Sequence, residues 1–453
     1  MNYRTEKDAL GEVKVPYDAL YGAQTQRAVE NFPISGLRLQ KTFIISLALI
    51  KKHAASVNGE LGLIHANITD AIVKAAGEIM IGKHDSEFVV DVFQTGSGTS
   101  TNMNMNEVIA RRANQMISGY TAKKAEVHPN DHVNLCQSSN DVIPSAINIS
   151  LFRLIEGNLE PALQELLKSL TEKAEEFAGI KKLGRTHLQD AVVMTLGDEF
   201  SGYARQIEQD IERLDDIKKY LGELSLGGTA VGTGINAHPE FAGRVILNIA
   251  KETGIDFKEA RNHFSSQASQ DASVSLSGVL KTIAVSLTKI ANDIRWLSSG
   301  PGAGLGEINL PAVQPGSSIM PGKVNPVIPE AVLQVAAQVT GNDATVAAAA
   351  SGGNFELNTM LPVIAYNLIQ SLEILAKASE IFVDKCIKGI TANKERCSLY
   401  VENSLDMAVK LIPYIGYDKS SEIAKLAYES GKTIKQVVIE SKILSEKQIS
   451  EIW

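Results

Sequence analysis

A seam of apolar residues between positions 271 and 298 is the feature that most restricts the folds open to this chain. Its members recur in alternating steps of four and three, which is the spacing of a helix face that packs against other helices. They are Leu276, Leu280, Ile283, Leu287, Ile290, Ile294 and Leu297. A helix of this length spans about 40 Å. Similar seams at 196–221 and 357–375 predict two more long helices, the last kinked near Pro362.

Seams on several such helices exceed what one compact monomer buries, so we expect helices that pack between subunits around a tetramer core. The fold class is predicted to be mainly α, with three domains in 453 residues. Residues 1–137 form an N-terminal domain with an extended arm and helices, and residues 138–391 form the central bundle of long helices. Residues 392–453 form a small helical domain, whose helices are broken by Pro413, Gly416 and Gly431.

Composition narrows the class of function. A net charge of −8 gives no reason to expect a nucleic-acid partner. No apolar run is long enough to suggest a membrane span, and the polar residues 1–8 do not form a targeting signal. Three cysteines without metal spacing fit a reducing compartment. We therefore expect a cytoplasmic protein without a metal or other cofactor.

Two loops rich in hydroxyls and amides precede predicted helices. The first, 94–106, contains Ser97 and Thr99, and the second, 137–141, contains Ser138, Ser139 and Asn140. Helix N-termini are natural anion sites, and these loops place neutral donors at two of them. Upstream of the second loop, His128, Asn130, Asp131 and His132 stand in a turn that contains Pro129. Metal binding is not expected there, because the histidines do not share a helix face.

Two glycine-rich breaks interrupt the helical region, at 184–190 and at 226–234. The first carries Thr186 and His187 and precedes the second long helix. The second is not a dinucleotide-binding fingerprint, because no predicted strand precedes it.

The loop 316–326 combines serines, a lysine and an amide with backbone hinges at Gly316 and Gly322. Such a loop can close over an anionic ligand and bring a nucleophile or base with it. Together with the donors described above, its lysine gives a set of neutral hydrogen-bond donors and one cation. That set suits a small dicarboxylate substrate.

The loop 316–326 also resembles the signature loop of the fumarase/aspartase superfamily, and five separate motifs match in the same order over nearly the whole chain. The resemblance implies a fumarase/aspartase-like fold, a homotetramer with sites shared between subunits, and a lyase that acts on a dicarboxylate. It implies that Ser317 is the catalytic base and that Lys323 and Asn325 stabilise the aci-carboxylate intermediate. His187, paired with Glu330, orients the water or leaving group.

The resemblance also implies the substrate-binding residues, which are Ser97, Thr99, Ser138, Ser139, Asn140 and Thr186, together with Lys323 and Asn325. His128, Asn130 and Asp131 match a secondary anion site of the family. In fumarases an arginine usually stands shortly before that histidine, whereas here the preceding residues are Ala125, Glu126 and Val127.

Within the superfamily, the two activities that fit this sequence are those of fumarase and aspartase. The segments 95–99, 137–141, 226–229 and 353–358 are similar to those of fumarases, whereas 309–311 and 325–330 resemble aspartases more. Aspartases usually place threonine where Ser139 stands, and the smaller side chain leaves room for an ordered water. The expected reaction is therefore the reversible hydration of fumarate to L-malate in the tricarboxylic acid cycle. Ammonia release from L-aspartate is the alternative, and an inactive structural relative is a further one.

Overall fold

The computed structural model describes residues 2–118 and 126–453. Met1 and residues 119–125, which fall within the predicted domain 1–137 and include Ala125, lie outside the described residues. The described chain is mainly helical, as the seams predicted. Its α-helices are α1 (Ala23–Asn31), α2 (Lys41–Glu60), α3 (Ala66–Met80), α4 (Thr99–Ser118), α5 (Ser139–Leu154), α6 (Glu160–Glu176), α7 (Leu196–Leu221), α8 (Phe241–Thr253), α9 (His263–Ala268), α10 (Asp271–Leu297), α11 (Val327–Ala350), α12 (Leu361–Lys385), α13 (Lys394–Asn403), α14 (Ile412–Ile415), α15 (Tyr417–Ser430), α16 (Ile434–Ser441) and α17 (Glu446–Ile452).

The strands are short and occur in pairs. They are β1 (Tyr3–Asp8), β2 (Gly11–Pro16), β3 (Lys181–Thr186), β4 (Gln189–Thr195), β5 (Glu223–Leu224), β6 (Lys258–Glu259), β7 (Ile308–Asn309), β8 (Gly353–Asn354), β9 (Leu357–Asn358) and β10 (Thr391–Ala392). Strands β1 and β2 form an antiparallel hairpin at the start of the chain, and β3 and β4 form a second one. The short strands β5 and β6 pair in parallel.

The long seams are buried as the spacing predicts. Every apolar seam residue of α10 is at most 4% exposed, and most seam residues of α7 are equally buried. The third seam needs a correction at its start. Leu357 belongs to β9, and Pro362 is the second residue of α12 rather than a kink within it. Proline is tolerated in the first turn of a helix, because the N–H it lacks there would have no partner within the helix.

Helix α10 is long and apolar enough to cross a membrane by length and composition alone, and it is the one such helix in the described part of the chain. The core helix of a soluble protein meets the same criteria. The buried seam of α10 is what such a core helix requires.

The chain divides into two compact units. The first comprises Met1–Pro161, Asp210–Ala284 and Val335–Lys377, and the second comprises Ala162–Gln209, Val285–Gln334 and Ala378–Trp453. Within the second unit, the C-terminal helices bury an apolar cluster of their own, which includes Leu411, Ile434 and Val438. The three-domain division with boundaries at 137 and 391 stays a prediction.

The segment 184–190 is not a simple break before a helix. It lies in the β3–β4 hairpin, which ends where α7 begins. Gly184 lies within β3, and the strand register shifts between Leu183 and Arg185, so the alternation of this stretch did not indicate strands.

Candidate active site

A chain of hydroxyl groups joins the N-termini of α4 and α5. The Ser97 and Thr99 hydroxyl oxygens lie 2.8 Å apart, and that of Thr99 lies 2.7 Å from the Ser139 hydroxyl oxygen. Ser138 caps α5 by accepting from the backbone N–H of Asn140 at 3.2 Å. The structure therefore brings these predicted binding residues together at two helix N-termini, where backbone dipoles favour an anion.

Asp141 holds the second of these N-termini in place. One carboxylate oxygen accepts from the backbone N–H of Ser138 at 2.9 Å, and the other accepts from the N–H groups of Gly227 and Thr229 at 3.1 and 2.9 Å. The glycine-rich segment 226–234 is thereby fixed against the start of α5, and the Asn140 amide donates to the carbonyl of Ala230 at 2.8 Å. Asp141 was not among the residues predicted for the site. Its signal was the capping-box spacing from Ser138.

His128 stands at the start of a π-helical turn, Pro129–Val133. Its Nδ1 accepts from the backbone N–H groups of Asn130 and Asp131 at 3.2 and 3.1 Å. The same Nδ1 lies 3.2 Å from a carboxylate oxygen of Asp131. The predicted secondary anion residues thus form one local turn.

Two arginines from elsewhere in the sequence line the same cavity as His128 and Asn130. This cavity of about 610 Å³ is also lined by Arg4 of β1 and Arg111 of α4. Both guanidinium groups donate to one carboxylate oxygen of Glu6, at 2.6 and 3.0 Å. The expected arginine just before the histidine is absent from the sequence, but two arginines reach this cavity through the fold. Local sequence gave no signal for them, because they lie 124 and 17 positions away from His128.

His187 occupies the turn of the β3–β4 hairpin. It and Leu188 have φ values of 55° and 61°, and the flanking Thr186 and Gln189 are paired. A two-residue hairpin turn requires positive φ, yet residues other than glycine or asparagine adopt it at a cost. Strain of this kind, at the tip of a hairpin, is a common property of functional residues.

A buried set of charges supports this hairpin. Arg185 donates twice to the Glu307 carboxylate, at 3.0 and 2.9 Å, and Glu307 is fully buried. Lys182 of the same strand pairs with Glu199 and lies 3.4 Å from Glu307. A bidentate, buried arginine–carboxylate pair fixes direction as well as distance. Arg185 therefore fixes the backbone of the strand that ends in Thr186.

The loop 316–326 is closed at its base. The N–H of Gly316 donates to the carbonyl of Lys323 at 2.8 Å, and the Asn325 amide donates to the carbonyl of Gly316 at 2.7 Å. A Cβ on Gly316 would lie 2.5 Å from the Lys323 carbonyl oxygen, so the closure requires glycine. Within the loop, the Ser317 hydroxyl oxygen accepts from the N–H groups of Ile319 and Met320 at 3.3 and 3.1 Å. Those two donors stabilise negative charge on that oxygen.

A cavity of about 620 Å³ lies beside the loop and is lined by Lys323, Asn325 and Glu330. These three predicted catalytic residues therefore face one space. His187 and Glu330 are not joined: within the described residues of one chain, no hydrogen bond or ion pair links them. Their pairing stays a prediction for the assembled protein.

In residues 2–118 and 126–453, no group of three or more histidine, cysteine, aspartate or glutamate residues is arranged to hold a metal ion. The side chains of His128 and His132 instead accept hydrogen bonds from backbone N–H groups of their own turn. The His132 Nδ1 accepts from the N–H of His128 at 2.9 Å. Burial lowers the pKa of His132.

Known proteins are similar to this chain over its whole length. The family model described as "Lyase" matches residues 11–341, and that described as "Fumarase C C-terminus" matches residues 409–453. The class II fumarate hydratase of Nitrosomonas europaea is 51% identical over 451 residues, covering 100% of this chain and 97% of that protein. That of Halobacterium salinarum is 52% identical over 451 residues, covering 100% and 96%. The crystal structure of a class II fumarase from Schistosoma mansoni has a TM-score of 0.95 and 41% identity, covering 100% of this chain and 98% of that one.

Proposed function

The chain belongs to the class II fumarase family, and we propose on that premise that it catalyses the reversible hydration of fumarate to L-malate. The observation that carries this function is the full-length identity of about half of all residues to fumarate hydratases. The aspartase alternative is not favoured by these relatives. The aspartase-like residues 309–311 and 325–330 are outweighed by the rest of the chain.

In the proposed complex, hydroxyls and amides bind the two carboxylates. Thr99, Ser138, Ser139 and Asn140 supply neutral donors at two helix N-termini, and Thr186 supplies one from the hairpin. Lys323 and Asn325 supply a cation and an amide beside the loop cavity. Charge-assisted bonds to carboxylates are stronger than neutral ones, so Lys323 has the largest single share in this set.

In the proposed mechanism, dehydration of L-malate begins at Ser317. Its ionised hydroxyl removes a proton from the carbon next to one carboxylate, and the electron pair moves into that carboxylate to give an aci-carboxylate. Lys323 and Asn325 stabilise the added charge. The electron pair then returns to form the double bond, and the hydroxyl on the adjacent carbon leaves as water after accepting a proton from the relay of His187 and Glu330. Hydration is the reverse sequence.

A serine is a weak base unless its ionised form is stabilised. The N–H groups of Ile319 and Met320, which donate to the Ser317 oxygen, support the assignment of the base to this residue. Loop closure that excludes water strengthens the same bonds.

We propose a homotetramer with sites shared between subunits. The face of α10 opposite its buried seam carries an exposed apolar residue every eleven positions, or about three turns. These residues are Val274, Val285 and Trp296. Helix α11 exposes a run of small residues that includes Ala337, Gly341 and Ala344. Long helices with exposed apolar faces of this kind are suited to packing against copies of themselves.

A cytoplasmic location and a place in the tricarboxylic acid cycle belong to the same proposal. All three cysteines are free and buried, which fits a reducing compartment. The conversion of fumarate to L-malate is the step that this cycle requires. Cell fractionation, with the activity recovered in the soluble fraction, tests the location.

We expect purified protein to hydrate fumarate at an undiminished rate after exhaustive chelation and exposure to air. The reason is that the proposed chemistry uses only a serine, a lysine, an amide and a histidine–glutamate relay. The measurement is the loss of fumarate absorbance before and after dialysis against a chelator. Loss of activity on chelation, with recovery on adding a divalent metal, would mean that a metal site has been overlooked.

A further inference from the structure

Lys51 of α2 is a fully buried lysine that the proposed mechanism does not use. Its ammonium donates to the side-chain oxygens of Asn134 at 2.9 Å and Gln137 at 3.0 Å, both neutral amides. Placing an ammonium group where water cannot reach it costs free energy unless the charge is matched nearby. A lysine in this position therefore needs a compensating role.

The partners of Lys51 connect it to both helix N-termini of the candidate site. Asn134 and Gln137 belong to the segment that leads directly into Ser138. The same Asn134 oxygen accepts from the amides of Asn102 and Asn106 in α4, at 3.1 and 3.2 Å. The Asn134 oxygen thus joins the Lys51 ammonium and the approach to α5 to the first turns of α4, which begins at Thr99.

Asp141 is the negative charge that the Lys51 ammonium attracts. It is fully buried, and its carboxylate lies beneath the N-terminus of α5, where negative charge opposes the binding of another anion. Burial lowers the pKa of Lys51 to about 7, and the attraction of Asp141 opposes that effect. Burial likewise raises the pKa of Asp141, against the backbone N–H groups that donate to it and the attraction of Lys51.

The other elements around Lys51 offer it no second carboxylate in the described part of the chain. Helix α4 contributes the neutral amides of Asn102 and Asn106. On α8, Glu252 pairs with the neighbouring Lys52 and His53 instead. Asp141 is therefore the acidic group whose charge acts on Lys51.

We propose that Lys51 is a positioning residue for the hydration reaction, because its buried charge offsets Asp141 and ties together the two helix N-termini that bind the substrate dianion. This inference rests on the proposed function. Without the ammonium, the Asp141 carboxylate near the N-terminus of α5 is uncompensated and repels a dianion bound there. The Asn134 and Gln137 side chains also lose the donor that they share.

The proposal has a pH dependence with a definite sign. Binding a dianion favours the protonated form of Lys51. The affinity for a dicarboxylate is therefore highest below the pKa that Lys51 has in the free protein, and it falls as pH rises through that pKa. The affinity for a dicarboxylate is therefore expected to weaken by about tenfold between about pH 6.5 and 9. Succinate is a suitable probe, because it has both carboxylates and no double bond to react.

The test compares Lys51→Met with Lys52→Met, a control that removes a surface ammonium from the same helix. We expect Lys51→Met to raise the inhibition constant of succinate and the KM for fumarate by about tenfold at pH about 6.5, with a smaller change in kcat. The variant should also lose the pH dependence of succinate affinity, whereas Lys52→Met should keep the wild-type values. Succinamate, which carries one carboxylate and one amide, should be weakened less than succinate.

Equal weakening of succinate and succinamate would overturn the electrostatic role and indicate general loosening of the site. A succinate affinity of the wild-type protein that does not vary with pH would also contradict the proposal, and this measurement needs no variant that folds. Succinate binding is followed separately by thermal stabilisation. Failure of the wild-type protein to hydrate fumarate would then contradict the proposed function, while the binding data still decide the role of Lys51.

Discussion

Replacing Ser317 by alanine is expected to lower kcat by about 10³-fold while leaving the fold and the substrate affinity nearly unchanged. The substitution removes the proposed proton acceptor and no other group. In the part of the chain that the structure describes, its hydroxyl accepts from the N–H groups of Ile319 and Met320, both within the loop. The measurement is the initial rate of fumarate formation from L-malate at saturating substrate.

Ser318→Ala is the matched control, because it removes a hydroxyl of the same size from the adjacent, exposed position. It is expected to keep most of the activity. Turnover near the wild-type rate in Ser317→Ala would contradict the assignment of the base. If Ser317→Ala lowered the melting temperature and Ser318→Ala did not, Ser317 would act through the structure of the loop instead.

Mixing two inactive variants is expected to restore activity if sites are shared between subunits. Ser317→Ala and His187→Asn subunits, dissociated together and reassembled, leave some sites with an intact serine from one subunit and an intact histidine from another. Random assortment in equal amounts makes about a quarter of the sites complete. The measurement is the L-malate dehydration rate of the mixture relative to each variant alone.

The control for this experiment is the same mixture without dissociation, which should stay inactive. Tagging the two variants differently and isolating double-tagged assemblies shows that mixed oligomers formed. Absence of activity in such assemblies would indicate that Ser317 and His187 of each site come from one chain.

The long helices could be predicted because their signal is periodic and local. The seam of α10 includes Leu276, Ile283 and Ile290, which recur at a heptad spacing, and all three are buried. The donors at the starts of α4 and α5 were equally visible, because capping residues and hydroxyl-rich loops precede helices in the sequence. The contact between Thr99 and Ser139, however, depends on the fold that brings those helices together.

The groups that support the site could not be found from local sequence. Lys51 is one of several lysines in a helical pattern and is distinguished only by its burial. Arg4 and Arg111 reach the cavity of His128 through a hairpin and a helix that are distant in sequence. The hairpin that carries His187 was missed because Gly184 breaks the alternation of its first strand and its turn lacks the glycine or asparagine that usually marks positive φ.

The most direct test of the account compares L-malate with L-aspartate as the source of fumarate for the same purified protein. Both are four-carbon dicarboxylates and differ in the leaving group, which is water from one and ammonia from the other. We expect kcat/KM for fumarate formation from L-malate to exceed that from L-aspartate by about 10³-fold or more, because buried polar groups matched to a hydroxyl reject an ammonium. Robust fumarate production from L-aspartate with none from L-malate would contradict the account and make residues 327–330 the better guide to function.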